Sequence, residues 1–115
     1  MSRPVIHWEI ASSDAPRLQR FYSELFGWEV DSDNPLGYGL VKTGESRVQG
    51  GIVQARRGVP HYLTFYVHVE TLEPYLEKVE QLGGQIIVAH SHIPHVGIFA
   101  MFRDPDGNLV GMFEE

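Results

Sequence analysis

The chain contains several short segments in which apolar and polar residues alternate, which is the pattern of β-strands. The first runs from Pro4 to Ile10 and predicts two unlike faces, one with Ile6, Trp8 and Ile10 and the other with Val5, His7 and Glu9. Further strands are predicted at Trp28–Asp31, Tyr38–Thr43, Val48–Gln54, Tyr62–Val69 and Ile86–Ala89. His90–Val96 is predicted to be a loop. The segment Gly97–Glu115 predicts a hairpin, because Asp104–Asn108 at its centre consists of turn-forming residues.

Two other segments repeat apolar residues at spacings of three and four, which predicts amphipathic helices. The first repeat comprises Leu18, Phe21, Tyr22, Leu25 and Phe26, and the second comprises Leu72, Tyr75, Leu76, Val79 and Leu82. Ser12–Asp14 supplies N-cap candidates for the first helix, and Gly27 is its predicted C-terminal cap. Gly83 and Gly84 end the second helix. The pattern also places four side chains in the core, those of Trp8, Phe21, Phe26 and Leu76.

The order strand, helix and three further strands occurs twice along the chain. Matching positions such as His7 and Thr64 lie 57 residues apart. We therefore predict one domain over residues 1–115, with βαβββ modules at about 4–54 and 61–115 and a linker at 55–60. A four-stranded sheet with one helix covers only one of its two faces, so the open faces of the two modules must pair with each other or with another chain. The predicted fold class is α+β, a cupped, barrel-like mixed sheet with the helices outside.

Composition excludes several classes of function. A chain of 115 residues with 43% hydrophobic content suits one globular domain. A net charge of −6 argues against nucleic acid and anionic membrane surfaces as partners. The absence of cysteine excludes disulfides, thiolate catalysis and cysteine zinc sites. The first residues lack a signal-peptide pattern and no apolar run is long enough to span a membrane, so we expect a soluble cytoplasmic protein.

Several motifs together resemble the vicinal-oxygen-chelate superfamily, which includes glyoxalases, bleomycin resistance proteins and extradiol dioxygenases. They are a strand that carries His7, a helix that ends in Phe21-Tyr22 and Leu25–Trp28, and the closing turn Asp104–Asn108. Leu82–Gly84 after the second helix adds to the likeness. The resemblance covers nearly the whole chain and is nearest to small glyoxalase-like proteins. It implies a homodimer.

The resemblance also implies a metal site, because catalytic members of that superfamily hold one divalent ion in the cup. Their ligands are histidines and carboxylates from the first and last strands of each module. Carried over residue by residue, the first position falls on His7, which is a ligand type. The second falls near Gly50-Gly51, the third on Thr64 and the fourth on Gly111, and none of these supplies a ligand. One imidazole does not hold a metal tightly, so we predict no metal site and no cofactor.

Candidate site residues lie on the cup-facing sides of the strands. His7 and Glu9 share such a side and are the candidates for acid–base catalysis, with a cavity-lining or hydrogen-bonded core histidine as the alternative for His7. The residues predicted to contact a ligand are His7, Thr64, Tyr66, His68, His92, His95 and Phe113. For the loop histidines His90, His92 and His95 there are three alternatives. They are plain surface residues, they belong to a pH-sensitive or ligand-covering loop, or His92 or His95 forms a rebuilt metal site with His7.

Two functional hypotheses follow from these observations. The first is a small-molecule-binding protein of the glyoxalase and bleomycin-resistance type, which binds an organic ligand in the cup without the metal. The second is a lyase, isomerase or dioxygenase of the glyoxalase type, which uses His7 with a rebuilt metal site or metal-free acid–base chemistry. Both hypotheses include a small-molecule ligand and a homodimer, and neither includes nucleic acid or a membrane.

Overall fold

The computed structural model of the chain describes residues 2–34, 38–44, 48–93 and 96–115. The secondary structure within these ranges follows the order β1 (Val5–Ser12), α1 (Ala15–Phe26), β2 (Glu29–Asp31), β3 (Leu40–Lys42), β4 (Gln49–Gln54), β5 (Tyr62–His68), α2 (Leu72–Gln81), β6 (Gln85–Ile93), β7 (Gly97–Arg103) and β8 (Leu109–Glu114). The βαβββ order therefore occurs twice, and the predicted α+β class is confirmed. The chain forms two compact units, which we call the first module (Ile6–Leu63) and the second module (Thr64–Glu115 with the N-terminal stretch up to Val5).

The sheet of the first module has the strand order β2-β3-β4-β1. Strands β1 and β4 are parallel and pair Trp8 with Gly50 and Glu9 with Gly51. Helix α1 connects β1 to β2, and the residues at its two ends explain where it begins and stops. The Asp14 side chain accepts a hydrogen bond from the backbone of Arg17, and Gly27 adopts the left-handed conformation with φ of 72°.

Aromatic side chains pack together on the helix side of the first module. The Trp8 ring lies over Gly50, where a Cβ atom would come within 2.0 Å of the indole, so only glycine fits. The same indole contacts Trp28 with ring centroids 5.3 Å apart. Phe21 and Phe26 are 54% and 58% exposed, so their predicted core position was wrong. The helical spacing was right, but these rings lean on neighbouring aromatic side chains instead of entering the sheet interface.

The second module has the strand order β5-β8-β7-β6 and an apolar core between its sheet and α2. The buried members of this core are Val69, Leu72, Leu76, Ala100 and Met112, so the predicted core position of Leu76 is confirmed. Thr71 precedes α2 but its side chain makes no capping bond. The carboxylate of Glu114 accepts a hydrogen bond from the backbone N–H of Leu72 at 2.8 Å and takes over that function.

Strand β6 is longer than its sequence predicts. The predicted loop His90–Val96 is wrong in its first half, because the strand continues through Ile93. Backbone pairing with β7 joins Ser91 to Phe99 and His92 to Ile98, and this pairing outweighs the weak strand propensity of a histidine-rich segment. His95 lies outside the described residues. Neither helix that the structure describes has the length and apolar character needed to cross a bilayer.

Candidate functional site

A chain of hydrogen bonds connects four polar side chains on one face of the first module. His7 and Glu9 are two residues apart on β1 and therefore project from the same face. The Nε2 atom of His7 lies 2.7 Å from the Tyr38 hydroxyl, which donates to Oε1 of Glu9 at 2.8 Å. The Tyr62 hydroxyl donates to Oε2 of the same carboxylate at 2.6 Å. We call His7, Glu9, Tyr38 and Tyr62 the polar cluster.

Glycine at position 51 is what allows Tyr38 to reach its place in the polar cluster. Gly51 lies directly opposite Glu9 in the β1/β4 pair. A Cβ atom at this position would lie 2.1 Å from the Tyr38 hydroxyl oxygen and 2.4 Å from the ring carbon that carries it. A larger residue would therefore push the phenol away from both His7 and Glu9.

Burial decides the charge state of His7. The imidazole is partly removed from water, and this desolvation lowers the pKa of His7 below its ordinary value. The negative charge of Glu9 opposes the effect but is the smaller contribution. His7 is therefore mostly neutral at neutral pH. A neutral imidazole connected through a phenol to a carboxylate can accept a hydrogen bond from a ligand or take up a proton from it.

The structure joins the two predicted catalytic residues, but it does so through a third. His7 and Glu9 are bridged by Tyr38, and sequence reasoning missed both Tyr38 and Tyr62. One signal could have found Tyr38, namely the pair Gly50-Gly51 inside a strand. Glycine in a strand interior marks a place where another group approaches the backbone closely.

The predicted ligand contacts of the second module lie on adjacent strands. Thr64 and Tyr66 of β5 are both buried, at 5% and 8% exposure. The Thr64 hydroxyl donates to the backbone carbonyl of Leu109 at 2.6 Å. The Tyr66 hydroxyl lies 4.0 Å from the sulfur of Met101, which is a weak acceptor, and its ring meets Phe99 edge-on. These side chains are part of the packing of the second module.

His68 and Phe113 lie directly opposite each other in the β5/β8 pair. The Nε2 atom of His68 is 4.0 Å from a carboxylate oxygen of Glu115. His92 is exposed on β6 at the edge of the module's sheet, two strands away from β8. The structure thus groups Thr64, Tyr66, His68 and Phe113, and it separates His92 from them.

The described residues at the four metal positions do not fit a divalent ion. His7 already has its Nε2 atom in a hydrogen bond, and Thr64 donates to the backbone. Gly51 and Gly111 offer no side chain, and a Cβ atom at Gly111 would lie 2.4 Å from the ring of Tyr66. Among the described residues, no group of three or more histidines, aspartates and glutamates is arranged to hold a metal. Useful metal affinity needs three or four converging donors.

Comparison with known proteins agrees with this architecture. A family model described as "Glyoxalase/Bleomycin resistance protein/Dioxygenase superfamily" matches residues 5–112. A "Glyoxylase-like domain-containing protein" of Didymella fabae is 31% identical over 108 residues, which cover 87% of this chain and 84% of that protein. The "Putative glyoxylase CFP32" of Mycobacterium tuberculosis is 27% identical over 114 residues, which cover 92% of this chain but only 43% of that protein.

A solved structure shows the same fold at low sequence identity. It is a glyoxalase/bleomycin resistance protein/dioxygenase superfamily member from Vibrio splendidus, with a TM-score of 0.67 and 18% identity. The alignment covers 99% of this chain and 100% of the other. The resemblance predicted from the sequence motifs is confirmed. The chain belongs to the glyoxalase/bleomycin resistance protein/dioxygenase superfamily.

Proposed function

We propose that the protein binds a small organic molecule at the polar cluster of the first module and does so without a divalent metal. The observation that carries this proposal is the hydrogen-bonded set of two phenols and an imidazole around the buried carboxylate of Glu9, which is 6% exposed. Apolar residues of similar size would stabilise the fold at least as well as a buried carboxylate. Departures from the best packing occur mostly at functional sites.

A ligand screen tests the binding proposal. Small organic fragments are added to the isotope-labelled protein, and backbone amide shifts are recorded. Binding at the polar cluster is expected to shift the amide signals of Glu9 and Gly51 and to raise the melting temperature by mass action. Substitution Glu9→Gln is expected to weaken that binding about tenfold, because one charged acceptor is lost.

The matched control for the screen is His92→Gln, because His92 is exposed on a strand of the other module. Fragment binding is expected to be the same in this variant as in the unaltered protein. A diverse library in which no fragment shifts the signals of the polar cluster would contradict the proposal.

Metal independence is tested by direct measurement. The untagged protein is loaded with nickel, zinc, manganese or ferrous iron and is then dialysed. We expect less than a tenth of an ion to remain per chain, because the donor set at the four positions is incomplete. Retention of about one ion per chain would contradict this part of the proposal and would favour a rebuilt site.

Acid–base catalysis is the second candidate function, and the neutral imidazole of His7 linked to Glu9 favours it. A general base of this kind removes a proton from carbon beside a carbonyl group. The test is exchange of carbon-bound hydrogen for deuterium in hydroxyacetone, followed by NMR in heavy water. Exchange catalysed by the protein and lost in His7→Gln would support an enzyme. Equal exchange in both proteins would remove His7 from any catalytic role.

We also propose a homodimer, on the basis of the family resemblance. One chain has a mass of 13.0 kDa. Light scattering at micromolar concentration is expected to give about twice that mass. A mass equal to that of one chain would contradict the dimer without affecting the ligand proposal.

A further inference from the structure

Helix α1 leaves much of its apolar side uncovered, in contrast to α2. Both Leu72 and Leu76 of α2 are buried in the core of the second module. Among the twelve residues of α1, all of which the structure describes, Ala15 is the one that is fully buried. Phe21 and Leu25 are 54% and 57% exposed. Exposed apolar surface of this kind on an amphipathic helix marks a place where another molecule binds.

Three apolar residues form a stripe along one side of α1, namely Leu18, Phe21 and Leu25, which we call the α1 stripe. Their spacings of three and four residues bring them onto the same side of the helix. Leu18 is half-buried, so the stripe begins at the packed part of the module and continues onto exposed surface. Phe21 and Leu25 together expose on the order of 200 Å² of apolar surface. Two such stripes would form the apolar centre of an interface that covers about 800 Å² on each partner.

Two exposed side chains of opposite charge lie on one flank of the α1 stripe. Arg17 precedes Phe21 by four residues, and Glu24 follows it by three. Within the described ranges, neither of these side chains belongs to an ion pair. About 10 Å of helix separates the two residues, whereas side chains on one helix pair at spacings of three or four residues. Each charge is therefore available to a second chain.

Two α1 helices from two chains can pair antiparallel about a twofold axis next to Phe21. Arg17 of one chain then faces Glu24 of the other, and the symmetry repeats this contact. Leu18 likewise faces Leu25 of the other chain. A parallel pair would instead bring Arg17 against Arg17, and like charges repel each other. The charges beside the α1 stripe therefore complement a second copy of this chain in one orientation.

A groove at the beginning of α1 provides room for a leucine of that second copy. The groove has a volume of about 290 Å³, and its lining comprises Ser12, Ser13, Asp14, Arg17, Leu18 and Phe21. Because two of these residues belong to the α1 stripe, the groove and the stripe are continuous. In the antiparallel pair, Leu25 of the second copy lies over Leu18 and enters the groove. An apolar side chain that fills a groove is typical of the centre of an interface.

We propose that the α1 stripe is the surface through which two copies of this chain associate, with their α1 helices antiparallel. This inference rests on the homodimer proposed above and specifies its interface. The apolar stripe supplies most of the affinity, and the two contacts between Arg17 and Glu24 set the orientation. The side chains of His7 and Glu9 project from the face of β1 opposite to Trp8, which packs on the helix side, so ligand binding at the polar cluster does not depend on this interface.

The first test places a charge in the α1 stripe. Sedimentation velocity over a dilution series measures the dissociation constant of the dimer, and circular dichroism checks that each variant is folded. Leu25→Glu is expected to raise the dissociation constant at least about a hundredfold, because the charge would be buried without a partner. The matched control is Leu82→Glu, at a leucine that is 73% exposed at the end of α2 in the second module. This control is expected to keep the dissociation constant of the unaltered protein.

The second test reverses the two charges and changes no apolar residue. Arg17→Glu and Glu24→Arg are each expected to weaken the dimer about tenfold, because two attractive contacts become repulsive. The double variant Arg17→Glu/Glu24→Arg is expected to restore the original dissociation constant, since opposite charges face each other again. Both positions are exposed, so the substitutions leave the folded chain intact. A double variant that dimerises no better than the single variants would overturn the antiparallel arrangement.

The outcomes separate this interface from the functions proposed above. The mass of one chain for the unaltered protein at every concentration would contradict the homodimer and this inference together. A dimer that persists unchanged in Leu25→Glu would keep the homodimer and overturn the α1 interface. Fragment binding at the polar cluster is expected to be the same in Leu25→Glu as in the unaltered protein, so neither result decides the binding function.

Discussion

In the first module Glu9 of β1 lies opposite Gly51 of β4, and in the second module Tyr66 of β5 lies opposite Gly111 of β8. Both strand pairs are parallel, and both glycines leave room for a tyrosine ring. In the first module the phenol of Tyr38 spans a histidine and a buried carboxylate. In the second module, the ring of Tyr66 covers Gly111 and its hydroxyl lies 4.0 Å from the sulfur of Met101.

This comparison shows one backbone arrangement used in two ways. The second module uses the space above its glycine for packing, because the surrounding side chains are apolar. The first module uses the same kind of space to assemble a hydrogen-bonded group around a charge. A repeated element order therefore does not imply repeated chemistry, and side chains decide which module carries a polar site.

The largest expected effect on stability is in the second module, where the tyrosine ring packs over a glycine. In Gly111→Ala the new methyl group would lie 2.4 Å from the buried ring of Tyr66. The ring body cannot move without disturbing the core, so we expect a loss of about 3 kcal/mol in the free energy of unfolding, measured by urea denaturation. The control Gly58→Ala meets no neighbour and should cost only about 1 kcal/mol, for its positive φ. Equal losses of stability in the two variants would mean that the ring of Tyr66 can move easily.

The next largest effect is the difference in the free energy of unfolding between variants that lack one or the other tyrosine hydroxyl. Tyr38→Phe is expected to cost about 2 kcal/mol in the free energy of unfolding, because the carboxylate of Glu9 and the Nε2 atom of His7 both lose a hydrogen-bond partner. Tyr66→Phe is expected to cost less than about 0.5 kcal/mol, because the sulfur of Met101, 4.0 Å from the Tyr66 hydroxyl, is a weak acceptor. Chemical denaturation of the two variants measures the difference. A greater loss in Tyr66→Phe would reverse the comparison.

A smaller effect is the energetic coupling between Gly51 and Tyr38. Gly51→Ala should displace the phenol, so its cost should fall when Tyr38 has already been replaced by alanine. We expect the double variant to be about 1 kcal/mol more stable than the sum of the two single changes. A double-mutant cycle measures this coupling. Strict additivity would show that the two residues do not share the same space.

The smallest effect is a dependence of stability on pH that comes from His7 in the first module. Burial lowers the pKa of His7 in the folded state, so the unfolded chain binds the proton more readily. The contribution of His7 to the free energy of unfolding is fully present above the pKa of the unfolded chain, about 6.5. It decreases as the pH falls towards the lower pKa of the folded state. Denaturation of His7→Gln between pH 7.5 and 5 should show a shallower decrease than the unaltered protein.

Local sequence predicted much of the fold because the responsible interactions are local. The cap at Asp14 and the left-handed Gly27 delimit α1 as expected. The closing turn is also held by near neighbours, since the Asp104 carboxylate accepts from the backbone N–H groups of Asp106 and Asn108. These contacts span four residues or fewer, so the sequence alone determines them.

Tertiary structure decided the composition of the polar cluster. Glu9 meets Tyr38 and Tyr62 across 29 and 53 residues of chain. The exposure of Phe21 and Phe26 and the extension of β6 past His90 likewise depend on neighbours far along the chain. The sequence by itself determined the elements, the twofold βαβββ order and the family. It could not show which side chains converge, because convergence follows from strand register and packing and not from local propensity.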